Sequence, residues 1–205
     1  MIVGLLLAAG AARRFGSPKL IQPLAGKPIV RWSAETLAAA TARLLVVVPP
    51  DPALLRDALR GVQAQFIVND VPARGLGRSI AFGARALPPE ADAVVIALAD
   101  EPLMDPLCIA AVIDRYRTTN GAAIVAPVFR GIRRHPVLFD RSIFGELATL
   151  DGDRGARDII DGDPARVVLV EFDQPGTIDV DTSEDLARLE QEAQFMAPRP
   201  RPTST

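Results

Sequence analysis

The chain has 205 residues, 49% of them hydrophobic, and its 23 basic and 25 acidic side chains leave a formal net charge of −2. That length suits one well-buried core and would cramp two full domains. Near-neutral charge and 5% aromatic content speak against a nucleic-acid platform; a single cysteine rules out an internal disulfide, and with a single histidine it speaks against a zinc site.

The first apolar run, residues 2–8, predicts a buried strand. It is too short to span a membrane and has no basic flank before it, so no membrane partner is expected, and the cysteine usage suits the cytoplasm. The strand breaks into a loop of small residues that ends in two arginines and a lysine. Small residues let backbone amides approach anionic oxygens, and cations neutralise what the amides cannot. Arg13, Arg14, Lys19, Lys27 and Arg31 all precede the first acidic residue, Glu35. The spacing of Gly10, Gly16 and Lys19 matches neither a P-loop nor a dinucleotide fingerprint. The pattern present is L-A-A-G-x-x-x-R-x-G-x-x-K, through Leu7, Ala8, Ala9, Gly10, Arg14, Gly16 and Lys19.

Further along, helical patterns starting at Pro28 and at Asp51-Pro52 flank an apolar strand over residues 44–48. A strand at 65–68 leads to Asn69 and to Arg74-Gly75-Leu76-Gly77-Arg78-Ser79 ahead of a helix over 77–87. Glycines there permit close approach to a base or ribose, with amides at the helix start; an ordinary helix-entry turn is the competing account. The strand at 93–98 runs into Ala99-Asp100-Glu101-Pro102. An acid at the tip of a buried strand is placed to hold Mg²⁺ against a nucleotide, unless Asp100 merely caps the next helix. Glu101 is expected to face solvent. A helix over 106–118 carries Cys108 on its apolar pattern, which predicts a buried structural thiol.

In the second half, strands are expected at 122–127 and 167–170, helices at 142–150, 155–161 and 183–193, and an inserted hairpin or strand pair within 129–139. His135 lies beside an apolar segment and is not assigned general-base chemistry. Arg154 and Arg157 sit at a polar helix start, where they either meet an acceptor phosphate or pair with neighbouring aspartates. Thr182 followed by Asp185 reads as a helix N-cap. Alternation puts Asp179 and Asp181 on one side of a short strand, either of them a candidate second metal ligand. The βαβα rhythm predicts an α/β fold, a Rossmann-like three-layer αβα sandwich with a mainly parallel sheet, as one domain over 1–193 with a disordered tail over 194–205.

In order, these motifs resemble the MobA-like NTP transferase family, nearest its molybdenum cofactor cytidylyltransferase branch. The resemblance is carried by the first loop, G-K-P at Gly26–Pro28, G-L-G-x-S-I at Gly75–Ile80, A-D-x-P-L at Ala99–Leu103, H-P-V-L-F at His135–Phe139, G-D-x-G-A-R at Gly152–Arg157 and D-x-D-T-x-E-D-L at Asp179–Leu186. It implies a nucleotide-diphospho-sugar transferase-like fold and transfer of a nucleotidyl group from an NTP to the terminal phosphate of a pterin cofactor, with release of pyrophosphate. By that resemblance Arg14, Lys19 and Asp100 are catalytic. Leu7, Ala8, Ala9, Gly10, Asn69, Gly75, Gly77 and Ser79 join Arg14 and Lys19 in holding the nucleotide, and Asp100 and Asp181 bind Mg²⁺. His135, Arg154 and Arg157 face the acceptor. Ala9-Gly10, where guanylyltransferase relatives more often carry Gly-Gly, leans towards CTP; a molybdoenzyme or its chaperone would receive the product. Arg134 departs from a common glycine, and Ser183 from a common proline. The alternatives are a GTP- or ATP-using enzyme, a sugar or polyol phosphate acceptor, and a non-catalytic nucleotide- or cofactor-binding protein.

Overall fold

The computed structural model describes residues 1–10 and 18–196. Arg13, Arg14, Gly16 and the tail at 197–205 therefore lie outside the described residues. An eight-stranded mixed sheet forms the middle layer. Its strands are β1 (Ile2–Leu7), β4 (Arg43–Val48), β5 (Gln65–Val68), β6 (Ala93–Leu98), β7 (Ile124–Phe129), β8 (Ile132–Arg133), β9 (Val137–Asp140) and β10 (Val167–Phe172). A separate two-stranded hairpin, β2 (Pro23–Leu24) and β3 (Lys27–Pro28), turns through Ala25 and Gly26, both at positive φ.

Period-two alternation of continuous apolar runs explains why the sheet is covered on both faces. Val3, Leu5 and Leu7 of β1 enter one core with Leu45, Val47, Ile80 and Ala84, while Leu6 and Ala8 enter the other with Val46, Leu37, Ile109 and Val112. Helices α1 (Ile29–Ala40), α2 (Ala53–Ala58) and α4 (Pro106–Thr118) supply the second core; α3 (Leu76–Arg85), α5 (Phe144–Leu147) and α6 (Arg157–Gly162) supply the first. Cys108 is fully packed in the α4 core, where burial pushes its thiol up to about 12. The structural reading of that residue holds.

Strand order runs β10-β7-β9-β6-β1-β4-β5, with β8 paired to β7. From β1 the chain winds outward through β4 and β5, then returns to place β6 on the other side of β1. The strand order reverses between β1 and β6, so the crevice beyond their carboxyl ends is where such a fold receives a ligand.

The expected insertion within 129–139 is more than a hairpin. Arg130 and Gly131, both at positive φ, turn β7 into β8, and β9 then inserts antiparallel between β6 and β7. A four-residue strand announces its apolar character but not its pairing partners. Element ends shift by a residue or two elsewhere: α3 stops at Arg85, and the helix expected over 142–150 is a 3₁₀ turn plus the single turn α5. The last helix, α7 (Ser183–Met196), continues past residue 193.

At Gly75 and Gly77 a close approach is made by the protein's own 151–153 loop. A Cβ at Gly75, whose φ is +94°, would lie 2.3 Å from Asp153 Oδ1 and 2.5 Å from the Gly152 carbonyl carbon; one at Gly77 would lie 2.7 Å from the Asp151 carbonyl oxygen. The Gly77 amide donates to the Gly152 oxygen at 2.8 Å. These glycines dock the 151–153 loop against the start of α3. Gly75→Ala is expected to cost about 1–3 kcal/mol through strain and overpacking, read as a lower midpoint in chemical denaturation. An unchanged midpoint would disprove the docking role.

Candidate active site

Lys19 opens a 3₁₀ turn after Pro18, just beyond the carboxyl end of β1, and its side chain is only 10% exposed. Its Nζ donates to Asp100 Oδ2 at 2.7 Å and to Asp181 Oδ1 at 3.1 Å. Burial alone would lower the lysine pKa, but the two carboxylates outweigh it and hold the ammonium above its ordinary value. Asp100 and Asp181, 81 and 162 positions along the chain from Lys19, thus meet it at the strand-order reversal.

Backbone clamps fix that meeting. The Ala99 amide donates to Leu7 O and the Val180 amide to Asp100 O. Ser33, fully buried on α1, presents its hydroxyl to the carbonyls of Ala99 and Glu101 at 3.3 and 3.1 Å. Asp100 is no helix cap: Asp105 performs that task, its Oδ1 accepting from the Leu107 amide. Thr182 and Asp185 cap α7 reciprocally, with the Asp185 amide donating to Thr182 Oγ1 and the Thr182 amide to Asp185 Oδ2.

A cavity of about 410 Å³ opens over Lys19. Leu7, Ala9, Gly10, Gly75 and Ser79 line it together with Asp100 and Asp181. Ala8 faces the opposite core, and Asn69 is wholly buried. Asn69 donates from Nδ2 to Ser79 Oγ and accepts from the Val71 amide, so it braces the loop and does not touch the cavity. That corrects its expected role as a nucleotide contact. Lys27 and Arg31 are likewise spent elsewhere, both on Glu35 at 2.7 Å, so part of the N-terminal cation excess is structural.

A second cavity, of about 690 Å³, shares Leu76, Leu98 and Asp153 with the first. Apolar side chains including Ile80, Ile96, Val137 and Phe139 form part of its lining, and Arg133, Arg134, Arg154 and Arg157 supply its cations. Arg133 pairs with Asp161 and Arg154 with Asp158; Arg134 and Arg157 have no carboxylate within ion-pair distance among the described residues. His135 lines this cavity too.

Glu101 contradicts its expected solvent exposure. It is 2% exposed, accepting from Thr177 Oγ1 at 3.1 Å on one oxygen and lying 3.2 Å from His135 Nδ1 on the other. The signal that hid it was its neighbour: in a short turn after a strand, the residue beside a candidate metal ligand reads as the outward one.

Residues 177–181 form no strand, and Asp179 and Asp181 part company. Asp181 joins Lys19, whereas Asp179 lines the second cavity and has a buried Oδ1 without a hydrogen-bond partner. Burial, then repulsion from Glu101 and Asp100, raises the Asp179 carboxyl to about 6. An acid whose folded pKa exceeds its unfolded value favours folding below the unfolded pKa and loses that advantage as pH rises through the folded one. Asp179→Asn in chelator-treated protein should therefore gain melting temperature at pH 8 relative to wild type but not at pH 4; equal differences at both pH values would refute the assignment.

A family model described as the MobA-like NTP transferase domain matches residues 4–168, from β1 into β10. The chain belongs to this family. It is a nucleotidyltransferase of the MobA-like group, on the mainly parallel, nucleotide-diphospho-sugar transferase-like fold that the strand order displays. The nicotine blue oxidoreductase of Paenarthrobacter nicotinovorans is 30% identical over 196 residues, covering 92% of this chain and 96% of its own. A protein of Natronomonas pharaonis named "Probable molybdenum cofactor guanylyltransferase" is 32% identical over 60% of this chain and 61% of its own. Rv0371c from Mycobacterium tuberculosis H37Rv superposes with a TM-score of 0.82 at 26% identity, over 93% of this chain and 97% of that one. The same mycobacterial protein in complex with manganese gives a TM-score of 0.76. No described helix is long and apolar enough to cross a membrane.

Proposed function

We propose that the protein transfers CMP from CTP to the terminal phosphate of molybdopterin, releasing pyrophosphate. One observation carries the reading: a nearly buried lysine held between two carboxylates at the strand-order reversal, over a cavity that adjoins a second, arginine-bearing one. The first cavity suits a triphosphate and the second an anionic acceptor with an apolar body. Lys19 would neutralise the triphosphate. Arg14, by the motif, would assist it.

Asp100 and Asp181 would hold Mg²⁺. Both offer hard carboxylate oxygens to one point, and two carboxylates are the usual protein share of such an ion. When bound, the ion supplies charge neutralisation for the phosphates. The manganese complex of Rv0371c supports a divalent ion of the same oxygen-seeking class. Lys19 already occupies the point between the acids, from which its ammonium would turn towards the phosphates of a bound nucleotide.

The in-line attack of one anion on another is slow because the two repel each other. Fixed cations and amides answer that repulsion by positioning and charge. Ala9 on the cavity wall supports the lean towards cytidine, and the likeness to a named molybdenum cofactor enzyme supports the pterin acceptor. The oxidoreductase name of the Paenarthrobacter relative would add redox chemistry, but a lysine–carboxylate cluster beside an arginine-bearing cavity is built to manage phosphate charge.

The deciding experiment measures pyrophosphate release from CTP, GTP and ATP with molybdopterin and with sugar and polyol phosphates, with and without Mg²⁺. CTP with molybdopterin is expected to be fastest, and a chelator to abolish turnover. No release with any pair, or a different preferred pair, would overturn the proposal.

A further inference from the structure

Glu101 ties three distant segments together. Its backbone follows Asp100, its Oε1 meets His135 on the link before β9, and its Oε2 receives the Thr177 hydroxyl from the segment that continues to Asp181. A buried carboxylate is costly unless its oxygens are engaged, and both oxygens of Glu101 have partners. Thr177 donates to the carboxylate and not to His135, so the hydroxyl is not activated as a nucleophile. What remains chemically free is the far side of the imidazole. His135 Nε2 has no partner among the described residues, and the 30% exposed ring lines the arginine-bearing cavity.

We propose that Glu101 and His135 form a carboxylate–imidazole dyad that prepares the acceptor phosphate for attack. Glu101 is the positioning residue. By accepting the Nδ1 hydrogen it fixes one tautomer, leaving the lone pair of Nε2 towards the cavity. His135 is the catalytic residue of the pair. A phosphate monoester titrates near pH 6, so part of it arrives still carrying one proton. That P–OH proton passes to Nε2, and the freed oxygen forms its bond to the α-phosphorus of the NTP. The bond from the α-phosphorus to the bridging oxygen breaks, and pyrophosphate leaves. The imidazolium, steadied by Glu101, then returns its proton to water. The neighbouring guanidiniums of Arg134 and Arg157 supply the pull that brings an anion to this wall.

The dyad rests on the transferase reading for its place in a reaction but not for its geometry. Because His135 is the single histidine of the chain, ring-nitrogen NMR of histidine-labelled protein reports it without ambiguity. With the ring neutral, the native protein should show a protonated Nδ1 and an unprotonated Nε2. Glu101→Gln, whose amide can also donate, should lose that strict preference while still accepting from Thr177. Phenyl phosphate, a phosphate monoester on an apolar ring, should shift the Nε2 resonance in the native protein, and His135→Asn should weaken its binding. A native Nε2–H tautomer, or an Nε2 resonance indifferent to phenyl phosphate, overturns the dyad.

In turnover, Glu101→Gln and His135→Asn should each lower kcat by about 100-fold, the low end for a positioned acid–base group, with the KM for NTP unchanged. Equal loss in kcat and in nucleotide affinity would mark a merely structural pair and overturn the proton role. If the native protein shows the expected NMR signature but no turnover with any acceptor, the transferase reading fails while the tautomer and phosphate contact stand.

Discussion

Asp100→Asn is expected to lower pyrophosphate release by about 10²–10³-fold while leaving the melting temperature close to that of the native protein. The loss follows from charge. Asn keeps the shape of the side chain but removes the anion that Lys19 holds at 2.7 Å, and with it one of the two oxygen ligands available to a divalent ion. The fold should be indifferent because the backbone around position 100 is fastened independently, by Ala99 to Leu7, by Val180 to the carbonyl of residue 100, and by Ser33 to the carbonyls on either side. Steady-state release of pyrophosphate, read beside thermal unfolding, checks both halves. Turnover within a few-fold of native would remove Asp100 from the catalytic site. Loss of both activity and folding would mean that the acid is structural.

Lys19→Ala is expected to act on the nucleotide first. The KM for NTP should rise by about 10–100-fold, because the chain loses the only cation among the described residues that line the cavity over Lys19. Lys19→Arg should restore little. A guanidinium is planar and forked where the ammonium is a compact point charge, and the lysine stands within 3.1 Å of both carboxylates. The dependence on pH has a definite sign. Lys19 is held above its ordinary value, so the ion cluster is fully present at neutral pH and is lost only as pH rises beyond the range of a free lysine. A lysine-dependent fall in nucleotide affinity between pH 7 and 9 would contradict that, as would unchanged kinetics in Lys19→Ala.

Much of the site was legible because its signals are local. A continuous apolar run announces a strand buried on both faces, and the first polar residues after it mark the strand's carboxyl end. Lys19 and Asp100 stand at such positions, and the fold brings them together. The cap at Thr182 was legible for the same reason, since its partners lie three residues apart. Arg14 was read from the same loop but lies outside the described residues.

The misreadings share a different cause. Asn69 had the composition of a ligand contact, yet it turned inward because Ser79 and the Val71 amide meet it there. Gly75 and Gly77 showed a need for close backbone approach, but sequence does not say what approaches; it is the 151–153 loop of the same chain. Lys27 and Arg31 counted as free cations until the turn of α1 placed Glu35 between them.

By itself, then, the sequence determined the layered α/β plan, the strand that opens the site, the lysine and acid that flank it, and the family, all of which depend on periodicity and short spacings within one segment. Only the tertiary structure decided which partners those segments meet. It inserted β9 antiparallel between β6 and β7, separated Asp181 from Asp179, and buried Glu101 against His135 and Thr177. Those outcomes rest on contacts between residues tens of positions apart. Their energies come from matching shape and charge across the fold, which no local pattern encodes.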